Sequence, residues 1–164
     1  MVSGSGAGTY TWNLSGLETR VTYYVKAYVI SNNDVIYGNE VSFYTESPYY
    51  YVLSDDLIVA REDVGEAGWY SAFDLCSNSR LGGFNDWRLP TIDELVTVYN
   101  NLESIGNFTY DVVYGPYESE EYVALYLSSS EYDEVEDAIL VLDFIDGAMG
   151  YAYKTDVLHV RCVR

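Results

Sequence analysis

Only two stretches of this chain carry a helical period, and both fall between residues 68 and 102 with β-type patterns on either side. Trp69, Ala72, Phe73 and Cys76 stand at i, i+3, i+4 and i+7, which is one face of an amphipathic helix. Gly82-Gly83 ends that segment in a loop. Thr91, just after Pro90 and three residues before Glu94, makes a capping box. A second helix is therefore expected from about Ile92 to Leu102, with Leu95, Val98, Tyr99 and Leu102 as its apolar stripe. A Gly/Asn/Pro-containing loop follows over about 104–120. Strands are expected at Tyr49–Leu53, Leu57–Ala60, Tyr122–Leu127, Ala138–Phe144, Gly150–Lys154 and Leu158–Val163, with Asp146-Gly147 as a tight turn. The fold class is α+β.

The first 46 residues read differently. Thr9–Trp12 alternates, and Ser15-Gly16 is a turn. Val21–Val29 is a period-2 strand, Ser31-Asn32-Asn33-Asp34 a hairpin turn, and Val35–Tyr37 with Glu40–Thr45 the return strand. Three strands alone make a marginal sheet. Ser47-Pro48 is the best boundary, so two parts are expected, 1–47 and 48–164. Leu14-Ser15-Gly16-Leu17, Tyr23–Tyr28 and Tyr37–Phe43 resemble the C-terminal half of a fibronectin type III-like module. Tyr23 stands where the tyrosine corner of such sandwiches lies, although the family's proline is Thr19 here. The resemblance implies a spacer without chemistry, and further modules of the parent chain upstream. The opening Met1–Gly6 has neither the charged nor the apolar region of a signal peptide and reads as a linker.

Charge narrows the partners. The formal net charge is −18, and between Arg88 and Lys154 there are fourteen acids and no basic residue. Nucleic acid and anionic membrane surfaces need clustered Lys and Arg, so neither is expected as a partner. No apolar run is long enough to span a bilayer, so no membrane insertion is expected. Scattered carboxylates are the ligands that calcium takes, but no calcium motif organises them. No cofactor and no metal are therefore expected. With one His, no phosphate loop and no nucleophile elbow, no catalytic constellation stands out, and the protein is not expected to be an enzyme.

Several segments of the second part together resemble one family. These are the Trp/Ala/Cys helix, Gly82-Gly83, Asp86-Trp87-Arg88-Leu89-Pro90-Thr91 with Glu94-Leu95, Ser128-Ser129-Ser130-Glu131, and the closing Val160-Arg161-Cys162-Val163-Arg164. The family is the Lcl C-terminal domain, and the resemblance covers about residues 50–164. One departure is Leu127, where the family usually has Trp. The resemblance implies a C-type lectin-like fold with two helices, a small antiparallel sheet and long loops. It also implies a place at the end of a bacterial surface or phage protein, and so an extracellular or virion setting.

In lectin-like folds a Cys on the first helix is bridged to one on the last strand, and Cys76 and Cys162 occupy those places. The rival reading is a reduced, buried pair. Asp86 and Arg88, flanking Trp87 before Leu89-Pro90, are read as a charged pair that organises a loop around the core. The resemblance implies an adhesin or receptor-recognition module that binds a protein or glycan ligand without covalent chemistry. Two alternatives are an assembly cap of a pilus or fibre, and a formylglycine-generating type of enzyme, whose chemistry needs free cysteines.

The candidate binding surface is the segment 132–159. Between recognisable frame residues stand Tyr132, Asp133, Val135, Asp137, Ile139, Leu140, Asp146, Ala148, Tyr151, Tyr153, Thr155, Asp156, Leu158 and His159. Some lectin-like domains have this stretch diversified by retroelements. Adenine-directed mutagenesis of an Asn codon reaches every residue type in that set. Tyr, of which the chain has nineteen, offers large contact area at low entropic cost. On a simpler reading these are ordinary strand and loop residues, and one of Ile139 and Leu140 is core.

Overall fold

The computed structural model describes residue 6 and residues 8–114 and 120–164, without the side chains of residues 113, 114 and 120–122. The chain divides into two compact units, Met1–Ser47 and Pro48–Arg164. Residues 1–5, 7 and 115–119, which include most of the expected N-terminal linker and part of the loop after the second helix, lie outside the described residues.

The first unit is an antiparallel ribbon of β1 (Thr22–Ser31) and β2 (Asp34–Tyr44). Asn32 and Asn33 both take positive φ, 50° and 73°, the mirror-image turn that matches strand twist. Tyr23 stacks on Phe43 at 5.9 Å, and its hydroxyl accepts a hydrogen bond from the Glu18 N–H at 2.8 Å. The strand expected at Thr9–Trp12 does not form. Those residues are exposed and belong to no strand of any sheet among the described residues.

The second unit begins with the hairpin of β3 (Tyr50–Ser54) and β4 (Leu57–Ala60), then β5 (Gly65–Ala67). Helix α1 (Trp69–Asn78), a 3-10 turn at Leu81–Gly83, α2 (Ile92–Tyr99) and the short α3 (Leu102–Ile105) follow. The hairpin of β6 (Asp111–Tyr114) and β7 (Glu120–Val123) precedes β8 (Leu125–Glu131), β9 (Ala138–Asp143), β10 (Met149–Tyr153) and β11 (Leu158–Val160). The second helical segment is thus shorter than expected, because the turn at Asn100-Asn101 separates α2 from α3.

The main sheet has the order β10-β9-β8-β11-β5. The unit mixes helix and sheet, so its class is α+β. The sheet is not purely antiparallel, however. β11 runs parallel to β8 while its other edge pairs antiparallel with β5. The chain reaches β11 last and threads between two strands already laid down, so its direction is set by the crossover and not by a hairpin.

Both faces of the sheet are covered. On one, Ala72 and Cys76 of α1 join Trp87, Leu127, Ile139, Val141 and Cys162. On the other, Leu95 and Val98 of α2 join Tyr126, Leu142, Phe144 and Val163. Neighbours Tyr126/Leu127 and Val141/Leu142 go to opposite cores because strand side chains alternate. This explains the unbroken apolar run at 138–142, as expected of strands buried on both faces. Phe73, counted on the buried face of α1, is exposed at its margin, where it meets Trp69 edge-on.

The end of the chain is clamped. Ile58 and Arg164 exchange backbone hydrogen bonds at 2.9 Å, as do Arg88 and Val163 at 2.8 and 2.9 Å. The Cys76–Cys162 disulfide is present and ties α1 to this last segment. Asp86 and Arg88 flank the buried Trp87, and each pairs with a charge outside the loop and not with the other. Asp86 takes Arg164 at 2.7 and 2.8 Å, and Arg88 takes Glu94 at 2.8 and 2.5 Å, each through two contacts. Asp86 is thereby held to the last residue of the chain and Arg88 to the first turn of α2. Between them Trp87 is buried and donates its indole N–H to the Leu81 carbonyl at 3.1 Å. Pro90 accepts from the Ser129 N–H at 2.7 Å, and Ser130 Oγ accepts from the Ile92 N–H at 3.1 Å. The serine run therefore anchors the start of α2.

Candidate functional site

The hairpin of β9 and β10 carries most of the candidate surface. Tyr151 and Tyr153 are both exposed on β10, with Ala152 buried between them. Tyr132 comes from the end of β8 and stacks on Tyr151 at 5.2 Å with a 15° interplanar angle, while Tyr153 meets Tyr151 edge-on at 6.4 Å. Three rings from two elements thus form one aromatic surface.

The loop between β8 and β9 is folded on itself. The Tyr132 N–H bonds the Ala138 carbonyl at 3.0 Å, and the Val135 and Ala138 N–H groups bond Tyr132 and Val135 carbonyls at 3.3 Å. Asp137 takes a positive φ of 57°, and its carbonyl accepts from the Lys154 N–H at 2.8 Å. Past β10, Asp156 closes a turn by accepting from the Tyr153 N–H at 2.9 Å.

Beside the tyrosines lies a pocket of about 400 Å³ lined by Tyr70, Glu136, Asp137, Tyr153, Lys154 and Thr155. Lys154 is the basic group there. Its ammonium sits 2.6 Å from Glu131 and 4.7 Å from the centre of the Trp69 ring. The hydrogen bond to Glu131 holds its pKa above the ordinary lysine value. Tyr132 donates to Glu134 at 2.8 Å, which raises the phenol pKa because the carboxylate opposes a phenolate.

Of the fourteen residues named on that segment, all but Leu140 and Leu158 are the ligand-binding candidates, and these twelve do not form one patch. Tyr132, Asp133, Val135, Asp137, Tyr151, Tyr153, Thr155 and Asp156 gather at one end of the hairpin. Asp146 and Ala148 are exposed at its other end, in the turn closed by Gly147. Along β10 only Met149 and Gly150 separate Ala148 from Tyr151, a span of roughly 10 Å. Ile139 and His159 are corrections. Ile139 is fully buried in the α1-side core, and His159 is 2% exposed. Each occupies the inward position of a strand covered on both faces, so neither can meet a macromolecular ligand. Sequence reading missed Tyr70 and Glu136, which reach the pocket from α1 and from the loop. Exposed aromatics on a helix carry no signal of what they face.

The motif residues lie outside this surface. Arg161 is fully buried, pairs with Asp63 at 2.6 Å, and donates to the carbonyls of Ala60 at 2.8 Å and Asn107 at 2.6 Å. Asp63 also accepts from the Tyr126 hydroxyl at 2.8 Å. Burial, reinforced by Asp63, pushes the Tyr126 phenol pKa well up. Every charged donor here has an internal partner, which marks a structural frame. Residues 46–164 match the family described as the Lcl C-terminal domain. The chain belongs to the Lcl C-terminal domain family. For the Lcl C-terminal domain described here, the matched residues cover the whole second unit, including the frame around Trp87 and Arg161. No curated protein matches the chain. Among the described residues, no helix is long and apolar enough to cross a membrane.

Proposed function

We propose that the second unit is a non-catalytic recognition module with a C-type lectin-like fold, and that its ligand surface is the Tyr132–Tyr151–Tyr153 cluster with the adjoining pocket. The observation that carries this reading is the stacked, solvent-facing aromatic surface on a scaffold clamped at its base by a disulfide and two backbone pairs. Rigid aromatics bind at low entropic cost, and a loop locked by its own hydrogen bonds loses little more on docking. The ligand is a protein or glycan, bound by surface complementarity outside the cell or on a virion. A disulfide is compatible with that setting. Both cysteines are joined, so the free thiols of a formylglycine-generating chemistry are missing among the described residues. The first unit fits half of a fibronectin type III-like module. The Tyr23–Glu18 hydrogen bond has the form of a tyrosine corner, and the ribbon leaves Tyr24, Ile36 and Val41 exposed.

The test is binding of the chain to glycan and cell-surface protein arrays, compared with the Tyr151→Ser/Tyr153→Ser double variant. A loss of affinity of about tenfold or more, with unchanged thermal unfolding, is expected of residues at the centre of an interface. Equal binding by both proteins would remove the tyrosines from the site. Retroelement diversification is part of this proposal for the exposed positions. Sequencing codons 132–159 across isolates would find variation at 151, 153 and 155, and constancy at the buried Ile139.

A further inference from the structure

His159 is the chain's single histidine, and it lies in the sheet interior with its ring 5.3 Å from that of Tyr126. Its strand, β11, pairs it with Glu66 of β5 on one side and with Tyr126 of β8 on the other. Asp111, at the start of β6, reaches the same spot. Nδ1 is 3.5 Å from Glu66 Oε1, and Nε2 is 2.9 Å from Asp111 Oδ2. Despite that approach Nε2 is a buried nitrogen without a hydrogen bond among the described residues. One ligand atom from each of the three residues lies within 4.8 Å of the others.

An unsatisfied buried nitrogen is costly, and native structures give it a partner. The contact with Asp111 has the dimensions of a different arrangement. Two ligands held at about 2.1 Å from one ion, at angles of about 90–110°, are about 3.0–3.4 Å from each other. The two carboxylates are about half exposed, at 51% for Asp111 and 53% for Glu66, so the place is open to solvent on their side and closed on the His159 side. We propose that Glu66, Asp111 and His159 form a binding site for a divalent transition-metal cation. Nε2 of the imidazole supplies the nitrogen ligand and Asp111 the oxygen beside it, while Glu66, whose oxygen lies nearer Nδ1, adds its carboxylate by rotation of its half-exposed side chain and offsets the ion's charge. Solvent-facing positions remain for water. An imidazole in the set favours zinc-like ions over calcium or magnesium, which take oxygen ligands. The site is at the β5 edge of the main sheet, across from the tyrosines on β10, and is independent of the recognition reading.

The experiment is calorimetric titration of the metal-stripped full chain with Zn²⁺, with Ca²⁺ as a parallel probe, joined to ¹⁵N spectra of the imidazole. One zinc is expected per chain. The His159 Nε2 resonance should move on saturation, and with one histidine in the chain its assignment is unambiguous. Asp111→Asn and Glu66→Gln should each weaken zinc by about tenfold or more, while Glu134→Gln, on the tyrosine surface, should leave it unchanged. Three results would overturn the proposal: no saturable zinc binding, variants at Asp111 and Glu66 that bind as tightly as the parent, or an imidazole spectrum that zinc does not alter. The imidazole readout needs no variant, so it stands even if a substitution disturbs folding.

Discussion

Arg164 and Asp86 face each other across 78 residues of chain, joined by two hydrogen bonds of 2.7 and 2.8 Å, with the guanidinium 3.8 Å over the Phe84 ring. The last residue of the sequence thereby closes onto the loop that carries Trp87. Two motifs far apart in sequence are thus one structural unit.

That pair predicts a titration. Arg164 lowers the Asp86 pKa, chiefly through the hydrogen bond. A carboxylate depressed in the folded state contributes stability above its unfolded pKa of about 3.9, and loses it as pH falls through the lower folded value. The Asp86 carboxyl, followed by NMR, should titrate below the ordinary range and return toward it in Arg164→Ala. An unchanged midpoint would mean the two groups are not paired in solution.

Arg161 should be among the most sensitive positions. Truncation to Ala leaves the buried Asp63 carboxylate and the carbonyls of Ala60 and Asn107 without their donor. Breaking a buried pair in this way costs about 3–5 kcal/mol. Urea unfolding of Arg161→Ala measures it. Arg161→Lys should rescue only part, because an ammonium cannot reach three acceptors with a planar fork.

The Cys76–Cys162 bridge spans 86 residues. In the chain-entropy view a loop of that size is worth about 4–5 kcal/mol through the unfolded state. The Cys76→Ala/Cys162→Ala variant should lose stability of that order in denaturant unfolding, while the oxidised parent is insensitive to mild reductant because both sulfurs are buried.

Gly147→Ala tests the turn between β9 and β10. Gly147 has φ +78°, and a Cβ there would fall 2.6 Å from the Tyr99 ring. Strain and overpacking together should cost about 1–3 kcal/mol. The companion Gly83→Ala has φ +82° but nothing within 4 Å, so it should cost less. Thermal unfolding of the two variants separates conformational strain from the clash.

Much of the fold was legible locally. Thr91 and Glu94 announce α2, and the capping box forms with both of its hydrogen bonds. Asn32-Asn33 announces its hairpin. Residues that speak through their neighbours in sequence can be read this way, because a cap or a turn is decided within four or five residues. The site was legible only in part. Tyr151 and Tyr153 alternate outward on a strand, but their meeting with Tyr132 depends on how the β8–β9 loop folds back.

What the sequence determined by itself is most of the local elements and the family, while β5 and β6 carried no local signal and the strand expected at Thr9–Trp12 did not form. Tertiary structure alone decided their pairings and their depth. Asp86 and Arg88 read as one charged pair because they are near in sequence, yet each found its opposite charge elsewhere, Asp86 on Arg164 at the end of the chain and Arg88 on Glu94 of α2. Ile139 and His159 read as surface residues because strand positions look alike when both faces are buried. Only the helix packed over each face shows which are enclosed. The parallel placement of β11 between β8 and β5 brought Glu66 and His159 together, and Asp111 reached them from another hairpin. No local pattern records a juxtaposition made by three separate strands.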